Sequence, residues 1–151
     1  MSNFCEGERV IKTDSLVLNS TQIETITHTL NQLIDPWIII LFGSYAKGRA
    51  REESDIDIAF LTDQKVDEYQ SFCIAQKLSE SMGKSIDCVN LHSASTVFQV
   101  QVIGHGNVLY CKDETRRKYY FVRTLKEYAL LNEERATILK QIKERGTIYG
   151  G

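Results

Sequence analysis

From about residue 20 the chain switches repeatedly between helical and strand-like spacings of apolar residues. Ile23, Ile26, Leu30, Leu33 and Ile34 recur every three or four positions, which puts them on one helix face. Thr21, with Glu24 three residues on, reads as a capping box, so this helix is expected to begin near Ser20 or Thr21. Asp35-Pro36 ends it, because a residue ahead of proline is pushed out of the helical region. Trp37 to Phe42 is an unbroken apolar run rich in isoleucine, the pattern of a strand buried on both faces. Ile56 to Leu61 predicts a second strand, with Ile56, Ile58 and Phe60 facing away from Asp55 and Asp57.

The second half repeats the alternation. Thr62-Asp63 is read as the cap of a helix from about Val66 to Met82, with Tyr69, Phe72, Cys73, Gln76 and Leu78 as its amphipathic pattern and Gly83 at its C-terminal cap. Ser85 to Leu91 is a short strand bearing Asp87, and a short helix is expected from Ser93 or Ser95 through Ile103. Gly104-His105-Gly106-Asn107 then turns into a strand from Val108 to Cys111. From Asp113 to about Arg145 the composition is helical, acidic at its start and with Lys143 and Arg145 near its end, as the helix dipole favours. Tyr120, Leu125, Tyr128, Leu131, Ile138, Leu139 and Ile142 form a discontinuous stripe that fits one long helix or two with a break near Leu131 to Glu134. The chain thus divides into a loose lead-in over 1–18, a core over 19–112, a helical extension over 113–145 and a tail over 146–151.

Composition narrows the function classes. At 151 residues with 42% hydrophobic content, the chain is long enough to bury one real core. A net charge of -2 and a pI near 5.9 exert no global pull toward nucleic acid. Cys5, Cys73, Cys88 and Cys111 lie far apart without paired spacing, so reduced, buried thiols are expected rather than a zinc site or redox pair. Met1 to Val10 has no apolar centre that would make it a signal peptide. No apolar run reaches the roughly 18 to 20 residues that span a bilayer. These features together predict a soluble cytoplasmic protein.

The chemistry concentrates between Trp37 and Phe60. In a strand, residues i and i+2 project from the same face, so Asp55 and Asp57 point together. Two such carboxylates can share a pair of magnesium ions about 3.5 to 4 Å apart, the spacing that clamps the attacking and leaving oxygens of phosphoryl transfer. Upstream, Gly43 permits close backbone approach to an anion, Ser44 offers a hydroxyl, and the turn amides can form a nest for a triphosphate. The segment Gly43-Ser44-Tyr45-Ala46-Lys47-Gly48, followed after ten residues from Ser44 by Asp55 and then Asp57, resembles the Gly-Ser and paired-aspartate signature of nucleotidyltransferases of the DNA polymerase beta superfamily.

That resemblance implies a palm-like α/β (α+β) fold, a small mixed β-sheet with helices packed mainly on one face and a helical C-terminus. It also implies a third carboxylate on a neighbouring strand, a position that Asp87 fits, as a further metal ligand and acceptor of the attacking hydroxyl's proton. Gly43 and Ser44 would hold the β and γ phosphates. Lys47, Gly48, Arg49 and Ser54 complete the candidate nucleotide-binding set, with Arg51 beside it. Glu52 and Glu53 leave a surface ion-pair reading equally open for Arg49 and Arg51.

The chain has no room for the nucleic-acid-holding domains of the polymerising relatives. With the Ile86-Asp87-Cys88-Val89-Asn90-Leu91 strand and the Ser93-Ala94-Ser95-Thr96-Val97 segment, it is most similar to the MntA-type adenylyltransferase antitoxins of HEPN/MNT toxin–antitoxin systems. The resemblance implies transfer of AMP from ATP, with two Mg2+ ions, to a tyrosine hydroxyl of a HEPN RNase toxin as protein partner, with neither nucleic acid nor membrane bound directly. An aminoglycoside-like small-molecule nucleotidyltransferase and a non-enzymatic binding antitoxin are the alternatives. His28 is expected on the exposed side of the first helix, and His92 and His105 in loops. Arg116, Arg117 and Lys118, with Tyr119, Tyr120 and Arg123, form a basic and aromatic cluster that reads as a solvated helix face or as a contact for phosphate or for an RNA-binding partner.

Overall fold

A computed structural model describes residues 17–146; the expected lead-in up to residue 16 and the tail from 147 lie outside the described residues. The elements run α1 (Ser20–Ile34), β1 (Pro36–Phe42), β2 (Ile56–Thr62), α2 (Glu68–Met82), β3 (Ile86–Asn90), a 3-10 turn (Leu91–Ser93), α3 (Thr96–His105), β4 (Asn107–Cys111) and α4 (Glu114–Gly146). The four strands form one mixed sheet in the order β3-β2-β1-β4. A direct loop joins β1 to β2, so they pair antiparallel, whereas α2 carries the chain across the sheet and makes β2 and β3 parallel.

Strand β1 lies at the centre and buries both faces, as its unbroken apolar run predicts. Ile39 and Leu41 enter the larger core with Ile56, Ile58 and Phe60 of β2, under Ile26, Leu30 and Ile34 of α1 and Ile74 and Leu78 of α2. Ile38 and Ile40 enter a smaller core on the other face, with Ala59, Leu61, Leu91, Val102 of α3 and Tyr120 of α4. The helices are therefore distributed unequally. The larger core lies against α1 and α2, and the second face is covered only in part, by α3 and the start of α4.

Both long caps differ from their expected positions. Asn19 and Gln22 make the capping box of α1, the Asn19 carboxamide oxygen accepting the Gln22 N–H at 2.8 Å and the Gln22 side chain accepting the Asn19 N–H at 2.9 Å. Asp67 and Gln70 do the same for α2, both at 2.8 Å. The Thr21-Glu24 pairing and the Thr62-Asp63 cap do not form. An amide or carboxylate followed three residues later by glutamine satisfies the same two orphan amides as the Ser/Thr–Glu pattern, a contribution of about 1 kcal/mol. Thr62 instead donates its hydroxyl to the Ile34 carbonyl at 2.6 Å and ties the end of β2 to the end of α1.

The face that α2 buries also departs from expectation. Ser71, Ile74, Ala75 and Leu78 are inside, while Cys73 and Gln76 are exposed and Tyr69 and Phe72 are 73% and 58% exposed. The small residues Ser71 and Ala75 let the helix approach the sheet closely, which turns the aromatic side chains outward. Cys73, Cys88 and Cys111 are free thiols, but Cys73 is exposed rather than buried, because it lies on the outward face of α2. Among the described residues no helix is long and apolar enough to cross a membrane.

Helix α4 is a single helix of 33 residues with no break between Leu131 and Glu134. Its first half is held to the sheet by Tyr120, whose ring meets Trp37 edge-on at 6.1 Å and whose hydroxyl donates to Gln99 of α3 at 2.6 Å. Arg116 stacks over Trp37 at 4.5 Å and makes a two-pronged pair with Asp63. Arg117 pairs with Glu114 at 2.7 Å and lies over Phe121. Of the basic cluster, Arg116 thus ties the helix to β1 and to the loop after β2, whereas the Arg117 contacts stay within α4. Beyond Leu131 the helix is exposed all round, including Ile138 at 54%, Leu139 at 64% and Ile142 at 58%.

Gly106 closes α3 by donating its N–H to the Val102 carbonyl at 2.7 Å. A Cβ at this position would meet that oxygen at 2.5 Å, Ile40 Cγ2 at 2.6 Å and the Leu41 carbonyl at 2.9 Å. The expected outcome for Gly106→Ala is a loss of about 1–3 kcal/mol of unfolding free energy, the usual cost of overpacking. Denaturant unfolding of the two proteins checks it, and equal midpoints would contradict the close approach.

Candidate functional site

At the end of β1 the chain turns through Gly43–Gly48. Gly43 and Gly48 have φ of 77° and 70°, left-handed values that favour glycine. The Lys47 N–H donates to the Gly43 carbonyl at 3.1 Å and the Arg49 N–H to the Ser44 carbonyl at 2.9 Å, so the turn winds like the opening of a helix. The leading amides of such a winding are the element that receives anions. Tyr45 and Ala50 are buried in the larger core and fix the turn from below. Ser44 and Gly48 are half-buried, and Lys47 and Arg49 are exposed.

A second turn leads into β2. Ser54 accepts the Arg51 N–H on its hydroxyl at 2.9 Å and donates its own N–H to the Arg51 carbonyl at 3.0 Å. This closes the turn immediately before Asp55, which stands just outside β2, and Asp57, the second residue within it. Among the described residues no salt bridge joins Arg49 or Arg51 to Glu52 or Glu53, so the ion-pair reading of those arginines is not what the structure shows.

Register brings the carboxylates together. Asp57 sits opposite Asp87 in the parallel β2–β3 ladder and opposite Phe42 in the antiparallel β1–β2 ladder, with neighbouring strands about 4.8 Å apart. Alternation along β2 puts Asp57 on the same face as Ala59 and Leu61. The candidate site is therefore at the uncovered end of the second face, and α3 and α4 occupy the rest. Asp55 and Asp87 are exposed, and Asp57 is half-buried.

Gly43 and Asp57 are in direct contact. A Cβ on Gly43 would overlap the Asp57 Oδ2 and lie 3.0 Å from its Cγ, so the carboxylate packs against bare backbone at the root of the Gly43–Gly48 turn. This links the two halves of the site through a position that only glycine fits, on steric grounds as well as φ.

Desolvation, then the negative charge of Asp87, then that of Asp55, raise the Asp57 pKa to about 6. Three carboxylates whose charges oppose one another suit a divalent cation, which reverses that repulsion. Among the described residues no three metal-ligating side chains form a ready-made cage. Magnesium commonly takes one or two carboxylates and completes its shell with waters and substrate phosphates, and the donor set of Asp55, Asp57 and Asp87 fits that habit.

Two neighbours of the site carry no sequence signature. Lys84 donates to the Glu52 carbonyl at 3.3 Å and lies over the Tyr45 ring, its Nζ 5.7 Å from the centroid, which braces the start of β3 against both turns. Phe98 of α3 meets Phe42, the cross-strand partner of Asp57, edge-on at 5.5 Å. Neither position has a motif spacing; only the placement of Lys84 just after Gly83 and before β3 hints at it. His28 is exposed as expected. His92 lies exposed in the 3-10 turn, and His105, expected in a loop, closes α3, because the helix runs to Gly106 before the chain turns.

The raised proton affinity of Asp57 has a definite sign. Between the ordinary value of 3.8 and about 6 the folded state binds more protons than the unfolded one, so its stability falls as pH rises through that window. The expected result for the metal-free protein is a melting temperature that declines from pH 4 to 6 more steeply than that of Asp57→Asn. Calorimetry of both proteins checks it, and parallel profiles would contradict the repulsion.

The geometry agrees with what this chain is similar to. Residues 24–115 match the family model described as polymerase beta, nucleotidyltransferase. The protein adenylyltransferase MntA of Shewanella oneidensis is 36% identical over 105 residues, which cover 70% of this chain and 75% of that protein. A crystal structure of a toxin-antitoxin with AMP-PNP aligns with a TM-score of 0.72 and 34% identity, over 80% of this chain and 98% of the other. A structure of the tri-AMPylated Shewanella oneidensis HEPN toxin in complex with MNT antitoxin aligns with a TM-score of 0.68 and 31% identity, over 82% and 97%. The matched residues contain the glycine-serine turn and all three aspartates, and the chain belongs to the polymerase beta nucleotidyltransferase family.

Proposed function

We propose that this chain is an antitoxin that transfers AMP from ATP to a tyrosine hydroxyl of a HEPN toxin and so neutralises it. The observation that carries the reading is the register of Asp57 with Asp87 beside the Gly43 turn. Support also comes from the MntA relative and from the two toxin–antitoxin structures, one with AMP-PNP and one with an AMPylated toxin.

In this mechanism the leading amides of the Gly43 turn and the Ser44 hydroxyl hold the β and γ phosphates. Lys47 and Arg49, both exposed beside the turn, offset phosphate charge. Asp55, Asp57 and Asp87 would hold two Mg2+ ions, which when bound supply charge neutralisation at the α phosphate and the leaving oxygen. Asp87 accepts the proton of the acceptor hydroxyl, directly or through a water. The hydroxyl oxygen bonds to the α phosphorus, the bond from that phosphorus to the bridging oxygen of the β phosphate breaks, and pyrophosphate leaves with the electron pair. Catalysis by the protein is then positioning and electrostatics rather than covalent chemistry.

Incubation with radiolabelled ATP, Mg2+ and the cognate toxin is expected to label the toxin polypeptide. Label in a small molecule would support the aminoglycoside-like reading, and a complex without label the non-enzymatic one. Asp57→Ala is expected to reduce labelling by at least about 100-fold, the scale of losing a principal charge-stabilising group. Its melting temperature at pH 7 should be no lower than that of the parent, because one of three opposed charges is gone. Full labelling by a folded Asp57→Ala protein would sink the assignment.

A further inference from the structure

Asp87 differs from the other two carboxylates in standing on the edge strand. In the order β3-β2-β1-β4, β3 pairs with β2 alone, so one side of its backbone is unpaired within the sheet. The direction of each backbone group follows from one bond. The Ile56 N–H donates to the Ser85 carbonyl at 3.0 Å, which in a parallel ladder makes Ser85, Asp87 and Val89 the residues whose backbone groups turn toward β2. Ile86, Cys88 and Asn90 turn theirs outward. The outward Ile86 N–H is taken by Ser79 Oγ of α2 at 3.0 Å, and the Cys88 N–H and carbonyl have no hydrogen-bond partner among the described residues.

Edge strands are normally protected by proline, lysine, a bulge or a covering element. Ile86-Asp87-Cys88-Val89-Asn90 holds neither proline nor lysine, and its register with β2 is unbroken over all five pairs. By contrast β4, the other edge, carries a register shift against β1 between Ile39 and Ile40. The edge with unbroken register, capped by α2 at Ile86 and with the Cys88 backbone groups turned outward, is therefore the one that bears the third carboxylate.

A strand that pairs with the outward Cys88 N–H and carbonyl has a residue opposite Asp87. The residue opposite Asp87 would project from the same face as Asp55, Asp57 and Asp87, with its Cβ about 4.5–5.5 Å from that of Asp87. A hydroxyl on that side chain is delivered beside the carboxylate that takes its proton. We infer that the free edge of β3 is the docking rail for the acceptor, an extended segment of the toxin that pairs with Cys88 and presents its hydroxyl-bearing residue opposite Asp87.

The inference rests on the transferase reading and goes beyond it. Main-chain pairing supplies the affinity of such a complex, and the register supplies the choice of residue. One residue of slip would turn the acceptor side chain to the opposite face of the sheet, so the edge selects which hydroxyl is modified.

The test uses the full chain, the cognate toxin and AMP-PNP. Amide exchange followed by NMR is expected to show the Cys88 N–H slowed at least about tenfold when toxin is added, the effect of one new main-chain hydrogen bond. The Val89 N–H, already turned to β2, should change little. Cys88→Pro removes the outward donor at an edge position where proline is tolerated. It is expected to cut toxin labelling at least about tenfold while AMP-PNP affinity holds. Unchanged Cys88 exchange in a complex that labels, protection confined to α4, or full labelling by Cys88→Pro would each overturn the inference and leave the transferase reading standing. A parent protein that labels no toxin would remove both.

Discussion

A half-buried carboxylate held between two others is the constraint on which the site depends. Asp57 is drawn out of water by its place between β1 and β3, pressed against the bare backbone of Gly43, and opposed by Asp87 and Asp55. A group so placed is unfavourable on its own. It persists because the surrounding framework overdetermines it: β1 is buried on both faces, Tyr45 and Ala50 anchor the turn, and Ser54 closes the approach to β2. A divalent cation would offset these opposed charges, so the arrangement suits ligand binding rather than its own stability.

How much of this was legible in the residues depended on distance along the chain. The Gly43 to Asp57 segment could be read because turn and strand are contiguous, and strand alternation alone puts Asp55 and Asp57 on one face. Asp87 needed the family resemblance, since nothing local announces that a carboxylate thirty positions after Asp57 (87 minus 57) will lie opposite it. The caps were misplaced because Asn19-Gln22 and Asp67-Gln70 do with an amide or carboxylate what the expected pairs do with a hydroxyl. The buried face of α2 was misread because large apolar residues were given more weight than Ser71 and Ala75, whose small size lets the helix come close. Lys84 and Phe98 were invisible for the same reason as Asp87: their roles arise only from tertiary contact.

The second face of the sheet explains why the aspartates remain accessible. Helix α3 and the first half of α4 cover Ile38, Ile40, Ala59 and Leu61 but stop short of Asp57, where Phe42 and Phe98 form the boundary. Arg116, which reads in the sequence as part of a basic patch, is used on this face to hold α4 over Trp37, while Arg117 pairs within the helix.

The parallel pairing of β2 with β3 has a consequence for how such a protein comes into action. Asp57 and Asp87 meet only after α2 has crossed the sheet and packed on it, a non-local closure that a chain makes late. No fragment emerging from the ribosome before β3 contains the assembled centre. The centre therefore passes from unassembled to assembled at that late closure rather than growing as each strand appears.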